Sequence, residues 1–221
     1  MAEAPSAVVA TDGAGTDGAG TDTTNGGATV FRTIGDLAVR CGNYCWLEHR
    51  LFALTGRAAS AGTRSASTAV DAEIRVFLSA TSARHAFLAA QWRDRLPVRA
   101  GVDADALVVP PPGRVGSALD LLGTAPGPLF VLGGLVGQIL PRLLMAYGDD
   151  AAHASAISEA PVRAVLGMAD LLLREEVRDG RSLLDRGSEG AAASRKLAEF
   201  EEVVQRALGD GIGISPAARA S

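Results

Sequence analysis

The 221-residue chain has only two cysteines, Cys41 and Cys45, which rules out a disulfide framework. Their spacing, Cys41-Gly42-Asn43-Tyr44-Cys45, puts them one turn apart on a single helix. A zinc site would need further ligands near them, and a redox pair favours two intervening residues rather than three. They are expected to be reduced core residues. An excess of either charge is also missing. The 21 basic and 25 acidic residues give a net charge of -4 and are mixed along the chain, so neither nucleic acid nor an anionic membrane is favoured as a partner.

Long apolar runs are absent too. The longest, Pro128 to Leu140, falls short of the roughly 20 residues of a membrane helix and reads as a buried helix. The first residues lack the basic start and apolar core of a secretory signal, so the expected location is cytoplasmic. Hardly any segment alternates with the period of a strand. No phosphate-binding fingerprint appears, since Gly133, Gly134 and Gly137 fall inside a helical run and suit close helix packing instead. A nucleophile elbow is likewise missing, and no catalytic residue is assigned.

What the chain does contain is 48% apolar residues, enough for one full core. Residues 1–29 are rich in Gly, Ala, Thr and Asp, with Thr-Asp-Gly-Ala-Gly repeated at Thr11 and Thr16, and read as a disordered tail. Residues 30–209 form the expected helical domain, and residues 210–221 a flexible C-terminal tail.

Five stripes at about 100° per residue mark the helices. The first starts at the N-cap Thr33, runs inward through Ile34, Leu37, Cys41, Tyr44, Cys45, Glu48, Leu51 and Phe52, and is expected to end at Gly56. After a small-residue linker, Ala58 to Thr68, the second carries Val70, Ile74, Phe77, Leu78, Thr81, His85, Leu88 and Trp92, with Pro97 as its stop. Pro110-Pro111-Pro112-Gly113 then predicts a long extended connection between Leu96 and Leu119. The third stripe spans Pro128 to Tyr147 with a kink at Pro141, followed by a helix end at Gly148 and a polar turn holding Asp149, Asp150 and His153. The fourth begins at Pro161 and reaches Leu184, with Gly180 expected to weaken its last turns. The fifth, after Ser188, presents Leu197, Phe200, Val204 and Leu208.

Three ionisable side chains interrupt these stripes. Glu48, His85 and Glu176 each fall near the middle of an apolar arc on a different helix, where a charge costs several kcal/mol unless it is compensated. One reading is a metal site, in which a divalent ion neutralises both carboxylates and accepts the imidazole, with Asp179 one turn beyond Glu176 as a fourth ligand. The other is a hydrogen-bonded trio with protonated His85 between the carboxylates, assisted by Tyr44, Thr81, Arg84 or water.

With these residues the chain resembles the ferritin-like superfamily. The phrases Tyr44-Cys45-Trp46-Leu47-Glu48, Arg84-His85-Ala86-Phe87 and Trp92-Arg93-Asp94-Arg95-Leu96-Pro97 are similar to its actinobacterial members in particular. The resemblance implies an all-α, ferritin-like four-helix bundle with an additional C-terminal helix. It also implies a ligand set of one Glu from each of two helices and a Glu-x-x-His from each of the other two. On that pattern Glu48, His85 and Glu176 are retained and Asp179 replaces a His. Ser82 stands where a Glu belongs, and the third helix supplies no acid. The di-iron set is therefore incomplete. The expected function is a binding or scaffold protein without a cofactor. The alternative is a non-haem oxidase or hydroxylase with one iron or manganese on Glu48, His85, Glu176 and Asp179. No small-molecule ligand is named by the sequence. The amphipathic fifth helix and the glycine-rich third one suggest a homo-oligomer.

Overall fold

The computed structural model describes residues 33–61, 68–98, 101 and 103–213, so the expected tail over 1–29 lies outside the described residues. All regular structure among them is helical. The long helices are α1 (Ile34–Ser60), α2 (Ala69–Arg93) and α6 (Ala160–Gly187). They are completed by α3 (Val115–Gly123), α4 (Pro128–Gly134), α5 (Leu140–His153) and α7 (Ala191–Leu208).

Local chemistry starts the first two helices where the sequence places them. Thr33 Oγ1 accepts the Asp36 amide at 3.1 Å and the Asp36 carboxylate accepts the Thr33 amide at 3.1 Å, a reciprocal capping box. Thr68 Oγ1 caps α2 through the Asp71 amide at 3.1 Å. The end of α1 departs from expectation, because the helix continues through Gly56 to Ser60. Gly56 is a packing residue instead. A Cβ there would stand 3.0 Å from Ser82 Oγ on α2, and Ser60 closes the helix on the Gly56 carbonyl at 3.0 Å.

The connection after α2 is less extended than its prolines suggest. It contains a short turn of helix at Asp105–Leu107 and the nine-residue α3. α3 begins without a side-chain cap, so no N-terminal signal announced it. Leu107 presses its carbonyl onto α1 at Gly42, where an added Cβ would lie 2.0 Å from that oxygen. Only a residue without a side chain admits the loop at that distance.

α4 and α5 form one apolar rod interrupted by a π-helical turn at Leu135–Ile139. The expected kink at Pro141 is thus taken up just before the proline, as a bulge that frees the backbone for it. The rod continues past Gly148 to His153, so Asp149, Asp150 and His153 occupy its last turns rather than a loop. Pro128–His153 is 26 residues long and apolar enough by length and composition to cross a membrane, longer than the sequence run implied. Here it supplies the core, with Leu132, Leu135, Val136, Ile139, Leu140, Leu143 and Tyr147 fully buried.

α1 and α2 pack antiparallel, tied by Ser82 Oγ donating to the Phe52 carbonyl at 3.0 Å and Cys45 Sγ to the Ala89 carbonyl at 3.4 Å. α6 runs antiparallel to α2. A Cβ on Gly180 would meet Phe77 at 3.1 Å, and one on Gly187 would meet Ile74 at 3.1 Å. Gly180 therefore serves helix packing within α6 rather than weakening it. Two residues expected inside are not, since Ile34 is 82% exposed and Phe52 43% exposed. α7 covers α3 and α4 through buried Leu197, Val204 and Leu208, with Phe200 edge-on to Phe130 at 5.5 Å. Its apolar face is used inside the chain, so the argument for self-association through α7 and the glycines of α4 falls away.

Candidate functional site

The antiparallel registers bring one polar position from α1, α2 and α6 to a common level. Glu48, His85 and Glu176 are all fully buried. The His85 Nδ1–H donates to Glu48 Oε2, and Nε2 lies 3.3 Å from Glu176 Oε1 on the opposite edge of the ring. The imidazole is thus a spacer between two carboxylates. Each ring nitrogen faces one of them.

The second oxygen of Glu48 is also engaged. Tyr147, from α5, donates its hydroxyl to Glu48 Oε1, and Trp92 donates its indole N–H to the Tyr147 hydroxyl at 3.1 Å. Tyr44 packs against both rings, with centroids 4.8 Å from Trp92 and 4.6 Å from Tyr147. Its own hydroxyl donates to Asp150 Oδ2 at 2.8 Å, and Asp150 is ion-paired with Arg40. A chain of buried polar contacts therefore runs from Trp92 through Tyr147, Glu48 and His85 toward Glu176. The aromatic trio joins it to a second ion pair nearer the surface.

Burial by itself depresses the basicity of His85. The charge of Glu48, and after it that of Glu176, outweighs this and holds the imidazolium up to about 10. Burial, reinforced by the adjacent Glu48 charge, pushes the Tyr147 phenol well above its ordinary range, so it remains a neutral donor. The Cys41 thiol is pushed to about 12 and the Cys45 thiol upward, both chiefly by burial. Both cysteines are free and buried, as the sequence indicates, and neither has thiolate character.

The Glu176 side is less complete. Neither of its carboxylate oxygens has a hydrogen-bond partner, and the same holds for the buried Thr81 hydroxyl and His85 Nε2. Thr81 sits one turn before His85 on the same face of α2. These orphaned atoms are the place to test whether the metal implied by the ferritin-like resemblance fits. Asp179, the suggested fourth ligand, does not take part: its side chain is 49% exposed and paired with Arg178 at 3.0 Å. It lies three residues beyond Glu176, far enough around α6 to turn its carboxylate to the surface. Ser82 is spent on the Phe52 carbonyl. Since Nδ1 serves Glu48, only Nε2 remains for an ion, and an ion on Nε2 leaves Glu48 across the ring. Glu176 and His85 are then the strong donors, too few for iron or manganese. Among the described residues no group of three or more His, Cys, Asp or Glu side chains is placed to hold a metal ion. The residues do not fit a di-iron centre.

Of the helpers expected for a hydrogen-bonded trio, Tyr44 turns to Asp150 and Thr81 makes no hydrogen bond. The buried Arg84 Nη1 also lacks a hydrogen-bond partner. Tyr147 takes that part instead. As the last residue of the third stripe it is placed on the core side by its period, which does not show that its hydroxyl reaches α1. Asp150 was missed as a buried group because the helix was expected to end at Gly148. Comparison with family models, with curated proteins and with solved structures gives no match for this chain.

Proposed function

We propose that this chain is a ferritin-like bundle whose di-iron centre has been replaced by a hydrogen-bonded core, and that it acts as a binding or scaffold protein rather than as an oxygen-using enzyme. The observation that carries this reading is the position of His85 between two carboxylates, with Tyr147 filling the remaining oxygen of Glu48. An imidazolium there neutralises one of two buried negative charges without any ion. The Trp92 and Tyr147 donors complete the Glu48 side, as a buried network requires.

One feature favours the alternative, a mononuclear iron or manganese oxidase or hydroxylase. Glu176 is a fully buried carboxylate with no hydrogen-bond donor on either oxygen, which an ion beside His85 Nε2 would satisfy.

Anaerobic loading of the full chain with Fe(II) and with Mn(II), followed by desalting and elemental analysis, separates the two. Metal well below one equivalent, equal in wild type and Glu176→Gln, is the expected result. Near-stoichiometric metal that is lost in Glu176→Gln and His85→Gln overturns the proposal and selects the oxidase.

A further inference from the structure

The outward side of α2 is unlike that of a solvated helix. Every exposed residue between Glu73 and Arg93 is uncharged: Val76, Ser79, Ala80, Ala83, Phe87 and Ala90. Val76 is 70% and Phe87 47% exposed, and Phe52 of the adjoining α1 is 43% exposed. The exposed side of α6, in contrast, carries Arg174, Glu175, Arg178, Asp179 and Arg181, as an amphipathic surface helix should. The spacing Val76, Ala80, Ala83, Phe87, Ala90 alternates four and three, the seam of a helix that packs against another helix.

We infer that this α1–α2 face is a twofold interface with a second copy of the same chain, α2 lying antiparallel on α2 with the axis between Ala80 and Ala83. The face complements itself about that point. The operation sets Val76 of one copy against Phe87 of the other, and Ala80 against Ala83, so the smallest side chains meet where the helices come closest. Phe52 is level with Ser82, to which its carbonyl is bonded. The twofold carries it to the level of Thr81, between Ser79 and Ser82 and on the α1 side of the partner helix. A groove of about 440 Å³ adjoins that level between α1 and α2, lined by Gly56, Ala59, Ser60, Ala72, Val76, Ser79 and Ser82, with Arg75 on its wall and its guanidinium bonded to the Ala59 and Ala61 carbonyls. Phe52 is the knob and the groove is the hole, each occurring twice in an isologous contact.

The size of the face agrees with this occupant. From their exposed fractions, Phe52, Val76 and Phe87 with the neighbouring small residues present roughly 500 Å² of mostly apolar surface, the scale of interaction patches. Exposed Ser60, Ala69 and Ala72 extend it toward the about 800 Å² that each partner of a stable dimer buries.

Sedimentation velocity on the full chain, from micromolar to hundreds of micromolar, tests the interface. Wild type should approach twice the chain mass of 22.6 kDa. The double variant A80E/A83E, which places four like charges at the axis, should weaken dimerisation by at least about 100-fold while its helical circular dichroism is unchanged. The double variant A80K/A83E places opposite charges across the axis and should dimerise again. Leu171→Glu, on the exposed side of α6, should leave the dimer intact. A wild-type chain that stays monomeric at the highest concentration overturns the proposal, whatever else covers the face. So does a dimer indifferent to A80E/A83E, a failure of A80K/A83E to restore it, or loss of the dimer in Leu171→Glu.

Discussion

Trp92 and Tyr147 lie 55 residues apart in the chain, yet the indole N–H of one donates to the hydroxyl of the other at 3.1 Å inside the core. That hydroxyl in turn donates a hydrogen bond to a carboxylate, Glu48. Tyr147 therefore links the aromatic trio, of which it is a member, to the charged trio through one oxygen atom.

Tyr147→Phe removes this oxygen and little else. The indole loses its acceptor and Glu48 Oε1 loses its donor, with both partners still buried. Each unsatisfied group costs about 1–3 kcal/mol, so a loss of about 2–6 kcal/mol in urea unfolding is expected. Trp92 emission should change in the folded state. A variant within 0.5 kcal/mol of wild type would show that the contact carries no stability.

The charge on His85 makes stability depend on pH in a defined direction. Its folded pKa, about 10, lies above the ordinary 6.5. The imidazolium contribution is thus fully present below about 6.5 and is lost as pH rises toward 10, with a slope of at most about 1.4 kcal/mol per unit. Cys41 and Cys45, whose thiols burial also pushes upward, add to the fall only above about 8.5. Urea midpoints from pH 6 to 8.5 should decline in wild type and flatten in His85→Gln. A flat wild-type profile over that window would mean that His85 is neutral in the fold.

Much of this was legible in the chain, for reasons that differ by residue. Glu48, His85 and Glu176 stood out because a charge inside an apolar stripe is improbable at 3.6-residue period, and each is fully buried. Asp179 and Phe52 went the other way. A position at the edge of an arc faces solvent or core according to which helix lies beside it, and a single helix cannot show that. α3 carries a sharp apolar face but only nine residues and no side-chain cap, so the prolines before it are the stronger local signal. The all-helical class follows from the stripes, whereas the link from Tyr147 to Glu48 depends on how α5 lies across α1, which no local pattern encodes.

Two glycines should respond to alanine with opposite signs. At Gly42 a Cβ would be 2.0 Å from the Leu107 carbonyl oxygen, and backbone cannot swing aside as a side chain can. Gly42→Ala should push the Asp105–Leu107 turn off α1 and cost about 1–3 kcal/mol, as overpacking does. Gly167 lies exposed within α6 with nothing within 4 Å of a Cβ. Gly167→Ala should stabilise by about 0.5–1 kcal/mol through helix propensity. Thermal unfolding of the pair reads both signs, and a stabilised Gly42→Ala would contradict the close approach of the loop.

Glu48 and Glu176 flank one imidazole but should not be equivalent. Glu48 accepts from both His85 and Tyr147, while Glu176 has the His85 charge at 3.3 Å and no hydrogen bond. Glu48→Gln turns an acceptor oxygen into an amide that opposes one of two donors, and it removes the stronger of the two charges that hold the imidazolium. Breaking a buried pair in this way costs about 3–5 kcal/mol. Glu176→Gln relieves an unsatisfied carboxylate while weakening the ion pair, two effects of opposite sign, so its cost should be less than half as large. Amide exchange at α2 residues around His85 should accelerate in Glu48→Gln and stay close to wild type in Glu176→Gln. Equal costs, or the reverse order, would place the anchoring charge of the core on α6 rather than on α1.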